Sequence, residues 1–130
     1  MSEQGPTIRR RMQPGFIIIT TDDRLGGELQ AAAGENWQVA VFPAIEDAGE
    51  WNEILLYRFI LMDLDEAAGD AVEQVERVRV EYMINIPIFC FGGSKEVQDQ
   101  ARLKGADRFF ARDEIVGKLP EFMEALGWGG

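Results

Sequence analysis

The sequence predicts an α/β domain: a doubly wound, five-stranded parallel sheet in the order 2-1-3-4-5, covered by helices in a three-layer α/β/α arrangement. Two observations predict it. Short uninterrupted apolar runs recur along the chain, the pattern of strands buried on both faces. Between them lie stretches whose apolar residues step by three and four, the spacing of amphipathic helices, and parallel strands need such crossovers.

Phe16-Ile17-Ile18-Ile19-Thr20 is the first strand, closed by Asp22-Asp23. Leu25, Leu29 and Ala32 carry a first helix to Gly34, a C-cap. Trp37 to Phe42 is the second strand, and Trp51, Ile54 and Leu55 form one face of a second helix beginning near Glu46. Phe59-Ile60-Leu61-Met62 is the third strand and ends at Asp63; Ala71, Val75, Val78 and Tyr82 stripe a third helix. Pro87 opens the fourth strand, Ile88 to Phe91, which Gly92-Gly93 closes. Val97, Ala101 and Lys104 fit a fourth helix ending at Gly105, Arg108 to Ala111 a fifth strand, and Ile115, Leu119, Phe122 and Leu126 the inward face of a last helix.

The 130 residues divide into a basic N-terminal tail (1–15), the folded domain (16–126) and a C-terminal tail (127–130) that is expected to continue into an output domain of a longer chain. Thirteen Lys and Arg against 23 Asp and Glu give a net charge of −10, which disfavours nucleic acid and anionic membranes and favours cations and basic partners. Arg9, Arg10 and Arg11 make the head positive. The absence of histidine removes any histidine base, and a single cysteine, Cys90, removes Cys/His zinc sites and internal disulfides. With no apolar run of roughly 20 residues, the expected location is the cytoplasm.

In the order 2-1-3-4-5 the first and third strands are neighbours, and open sheets of this kind bind ligands at their carboxyl ends. Asp22, Asp23, Asp63 and Asp65 gather there. Carboxylates so placed need a counter-charge, and Asp22, Asp23 and Asp63 suit Mg²⁺, a hard cation held by a few oxygens. Beside such a metal, Asp63 can attack a phosphoryl group. The plainer reading makes Asp22 and Asp23 helix caps and Asp63 a strand end.

The strand Ile18 to Asp23, the run Phe59 to Asp63, the strand Ile86-Pro87-Ile88-Phe89-Cys90-Phe91 and the turn Gly105-Ala106-Asp107 together resemble a response-regulator receiver domain, an atypical or pseudo-receiver variant of the flavodoxin-like (βα)5 fold. The resemblance covers nearly the whole chain. It implies Asp63 as phospho-acceptor, Mg²⁺ on Asp22, Asp23 and Asp63, and a place in two-component phosphorelay signalling rather than enzymatic turnover. A sensor histidine kinase or phosphotransfer protein would be the donor, and residues 94–126, with Gln98, Arg102, Lys104, Arg108 and Arg112, the face for a homodimer or output domain. Departures are specific. Gly92 stands where receivers place Thr or Ser, with Ser94 two residues late; Arg112 replaces a Lys; Phe109 takes the place of a switch Tyr; and Asp65 to Gly69 lack the usual Pro. These favour an alternative, a phosphorylation-independent binding surface. A third reading, a haloacid-dehalogenase-like phosphatase, draws on Asp63-Leu64-Asp65 but finds the motif on the wrong strand of too short a chain.

Overall fold

In the computed structural model, residues 13–127 are described; the basic head Arg9 to Arg11 and the residues from Trp128 onward lie outside them. Strands β1 (Gly15–Ile19), β2 (Gln38–Phe42), β3 (Ile60–Asp63), β4 (Ile88–Phe91) and β5 (Arg108–Phe110) form one parallel sheet in the order β2-β1-β3-β4-β5. Helices α1 (Asp23–Ala33), α2 (Trp51–Ile54), α3 (Ala71–Glu76) and α4 (Lys95–Leu103) fill the four crossovers, and α5 (Ile115–Leu126) follows β5. This is the predicted flavodoxin-like (βα)5 architecture.

The uninterrupted apolar runs are explained by a sheet with a core on each side. Ile17, Ile19, Ile60, Met62, Ile88 and Cys90 point to one face, where Ile54, Val75, Val78 and Ala101 cover them. Phe16, Ile18, Leu61, Phe89 and Phe91 point to the other, under Leu25, Leu29, Ile115, Leu119 and Phe122 of α1 and α5. That second core is aromatic: Phe16 stacks on Phe59 at 4.7 Å and Phe89 on Phe122 at 4.3 Å between ring centroids.

Two helices differ from expectation. The second is a 3₁₀ turn, Ile45–Ala48, followed by the four-residue α2, and only Ile54 of its predicted apolar face is buried; Trp51 and Leu55 are exposed. The third passes after Glu76 into a wider π turn, Arg77–Glu81, although Ala71, Val75 and Val78 are buried as the stripe requires. Gln74 ties the two segments: its amide oxygen accepts from Ile45 N at 2.7 Å and its nitrogen donates to Ala68 O at 2.9 Å.

The Gly105-Ala106-Asp107 turn has a physical cause. Arg79 donates through Nε to Gly105 O (2.9 Å) and through Nη2 to Asp107 Oδ2 (2.8 Å), which also accepts from Ile88 N. Gly105 has φ +115, and a Cβ there would sit 2.7 Å from Arg79 Cγ, so only glycine lets the arginine lie across the turn.

Candidate functional site: an arginine-clamped acid cluster

Strand register builds the site. Ile19 pairs with Met62, so the residues that follow, Thr20 and Asp63, stand side by side; Asp63 pairs with Phe91, and Phe91 with Phe110, which brings the segment after β5 alongside. From that segment Arg112 reaches back across the carboxyl end of the sheet.

Arg112 Nη1 donates to Asp63 Oδ1 at 2.7 Å and Nη2 to Asp22 Oδ2 at 2.7 Å, with Asp65 Oδ2 at 3.5 Å. One planar fork thus bridges three of the four clustered acids. Asp63 is fully buried. Its Oδ1 also accepts from the backbone of Asp65 and Glu66, both at 2.9 Å, and its Oδ2 accepts from the Thr20 hydroxyl at 2.7 Å. Asp22 caps α1 by accepting from Leu25 N at 3.1 Å. Arg112 holds the Asp22 carboxyl below its ordinary range, and the carboxylates, Asp63 foremost, raise the affinity of the guanidinium for its proton. The Arg112 guanidinium also lies 5.6 Å from the Phe91 ring centroid.

These donors bear on the expected Mg²⁺ set. Every carboxylate oxygen of Asp22 and Asp63 already has a donor, and two of them face a cation that the protein itself supplies. Asp23 is exposed on the first turn of α1, outside the set of acids that Arg112 bridges. Asp22, Asp23 and Asp63 are therefore not assembled as three ligands, and among the described residues no group of three or more metal-binding side chains is gathered. In this arrangement the residues do not fit a divalent ion.

Gly92 and Gly93 adopt φ +74 and +80. A Cβ at Gly92 would run into Asp65 Oδ2, and one at Gly93 would lie 2.8 Å from Leu64 Cβ. The position that receivers give to a hydroxyl is thus filled by the Asp65 carboxylate, which also accepts from Gly93 N at 3.0 Å. Ser94 does not substitute for it: its hydroxyl caps α4 by accepting from Val97 N at 3.2 Å. Phe109 is half-buried beneath the Arg102 guanidinium, 4.6 Å from its ring centroid.

The expected 94–126 face has its cations engaged. Arg102 pairs with Asp99 and covers Phe109, Lys104 pairs with Glu76 at 3.0 Å, Arg108 lies over Phe110 at 5.0 Å, and Arg112 belongs to the clamp. Gln98 donates to Gly92 O at 3.0 Å.

No protein-family model and no curated protein matches the sequence. Solved structures do match the fold. The phosphorylated cyanobacterial phytochrome response regulator RcpA superposes with a TM-score of 0.74 at 11% identity, over 91% of this chain and 96% of that one. A putative response regulator from Chloroflexus aurantiacus gives 0.71 at 18%, over 88% and 97%. A signal receiver domain from Bermanella marisrubri also gives 0.71 at 18%, over 88% and 98%. The fold is that of response-regulator receiver domains.

Two members of this receiver-fold site escaped the sequence. Thr20 and Glu66 were in plain view, yet only the β1–β3 register reveals that the Thr20 hydroxyl faces Asp63. The Asp-x-Asp spacing of Asp63 and Asp65 held a usable signal, since a strand-end Asp commonly accepts from backbone N–H groups two and three residues on. Among the described residues no helix is long and apolar enough to cross a membrane.

Proposed function

We propose that this chain is a signalling module of the response-regulator type that recognises a partner protein without phosphoryl transfer, its acid site closed by Arg112 in place of a metal. The receiver fold supports the signalling class. One observation carries the finer reading: Arg112 spans Asp22 and Asp63 at 2.7 Å each, on a carboxylate with no exposed surface. A phosphoryl donor must approach Asp63 in line, and both of its oxygens are committed to donors within the fold. A histidine kinase or phosphotransfer partner is then unnecessary, and the chain performs no turnover of its own.

A second reading keeps phosphoryl acceptance on Asp63 with Mg²⁺. What favours it is the place of Asp63 at the carboxyl end of β3, beside the 380 Å³ cleft lined by Asp22, Arg112 and Asp113. It requires the clamp to open. Incubation with a small phosphodonor and Mg²⁺, followed by intact-mass measurement, separates the two. No adduct is expected on the parent chain; an adduct on the parent that Asp63→Asn abolishes would establish the second reading and overturn the first.

A further inference from the structure

The charge of this protein is concentrated. Between residues 46 and 81 lie eleven Asp and Glu and three Arg; Asp63 and Asp65 belong to the Arg112 clamp, and the other nine acids against three Arg leave −6 on this stretch. The same region holds most of the large apolar side chains left exposed among the described residues, Trp51 (52%), Leu55, Leu56 (79%) and Val80 (69%), with Met83 (83%) just past its end. Neither feature alone marks a site; together they describe a surface with an apolar centre and an acidic rim.

The region is one surface because its parts are tied. Arg77 bridges from the π turn to Glu46 in the 3₁₀ turn at 2.7 Å, and to Glu81 at 3.2 Å. Trp51 and Leu55 lie one helical turn apart beside Glu50. Val80 lines a 260 Å³ groove with Glu73, Glu76, Arg77 and Glu81. Met83, just past the π turn, has φ +56 and is the one non-glycine with positive φ among the described residues, a backbone cost retained beside this patch.

We infer that the α2–α3 surface docks a basic amphipathic segment of a partner protein. The inference rests on the partner-binding reading above and names its surface and partner class. Charge complementarity selects the occupant. A second copy of the chain would set acidic rim against acidic rim, which costs association energy. A helix or strand with Lys and Arg flanking Leu or Ile would cover the apolar centre and neutralise the rim. The 94–126 face lacks this pairing, since its cations are matched internally.

The test uses the full chain and an 18-residue amphipathic Leu/Lys peptide carrying a fluorophore, followed by anisotropy with and without Mg²⁺ and beryllofluoride. Asp47→Lys with Glu73→Lys should weaken binding at least tenfold, as should Trp51→Ser with Val80→Ser; both pairs alter exposed side chains. Glu121→Lys with Glu124→Lys on α5 makes the same change in net charge and should leave affinity within twofold. Equal weakening by the two charge reversals would show attraction to net charge alone and overturn the surface, as would full affinity in the Trp51/Val80 variant. Self-association in light scattering that the Ser variant abolishes would assign the surface to a second copy instead. Binding that appears only with beryllofluoride would instead overturn the phosphorylation-independent reading while leaving the surface in place.

Discussion

Arg112 Nη1 lies 2.7 Å from Asp63 Oδ1, so the buried carboxylate at the carboxyl end of β3 has its counter-charge built into the chain. The guanidinium is itself about one-third exposed and the carboxylate fully buried, an asymmetry that decides what happens when one partner is removed. Losing Arg112 strands a charge in the interior; losing an outer acid does not.

Arg112→Ala should therefore destabilise the fold by about 3 kcal/mol, the lower end of the range for breaking a buried pair, because water reaches the arginine side. Urea denaturation checks it. Arg112→Lys should recover only part of the loss, since an ammonium cannot bridge Asp22 and Asp63 as a planar fork does.

Removing the clamp should also create a Mg²⁺ response. Millimolar Mg²⁺ should leave the parent melting temperature unchanged, whereas Arg112→Ala, with Asp22 and Asp63 released, should gain roughly 1.4 kcal/mol once the ion reaches about ten times its Kd. A parent chain that Mg²⁺ stabilises as strongly as the variant would refute the idea that the arginine replaces the metal.

The pH dependence follows from Asp22. Its folded-state pKa lies below the ordinary aspartate value of 3.8, chiefly through the Arg112 hydrogen bond. The carboxylate binds protons more weakly when folded, so its stabilising contribution is complete above the unfolded pKa and disappears as pH falls through the folded one. Stability should fall below about pH 4, and Asp22→Asn should flatten that part of the curve in denaturation series run from pH 5 to 2.

Restoring the receiver hydroxyl should harm this protein. Gly92→Thr places a β-branched residue at φ +74 with its Cβ on the Asp65 carboxylate, a cost of about 1–3 kcal/mol from the backbone alone. Adding Asp65→Ala should relieve the collision and leave the backbone strain, so a double-mutant cycle should return a non-zero coupling.

Cys90 is fully buried, and burial pushes its thiol up to about 12. A maleimide at pH 8 should label it no faster than the fold opens, and labelling should accelerate in parallel with unfolding as urea is raised.

The fold was legible because a parallel sheet buried on two faces leaves a strong imprint: Ile17-Ile18-Ile19 and Ile60-Leu61-Met62 have no polar residue for solvent to claim. The second helix was not. Trp51, Ile54 and Leu55 have helical spacing, but periodicity states only that residues share a face, not that the face is covered, and here Trp51 and Leu55 remain outside. At the site, Asp22 and Asp63 could be named from strand ends, and Arg112 only through the resemblance to receiver domains. Their arrangement could not, because it depends on how far a side chain after β5 reaches across two strands. The choice between metal and arginine as counter-charge lies in that reach.

The clamp joins residues 90 positions apart, Asp22 and Arg112, and 49 apart, Asp63 and Arg112. Contacts of such sequence separation form only after β1, β3 and β5 have been brought into one sheet, when the entropy of closing those loops has been spent. Interactions absent from the folding transition state act on the unfolding rate. The arginine is thus a latch on lifetime: its removal should speed unfolding far more than it slows folding, and the native state's persistence, rather than the speed of its formation, is what the clamp controls.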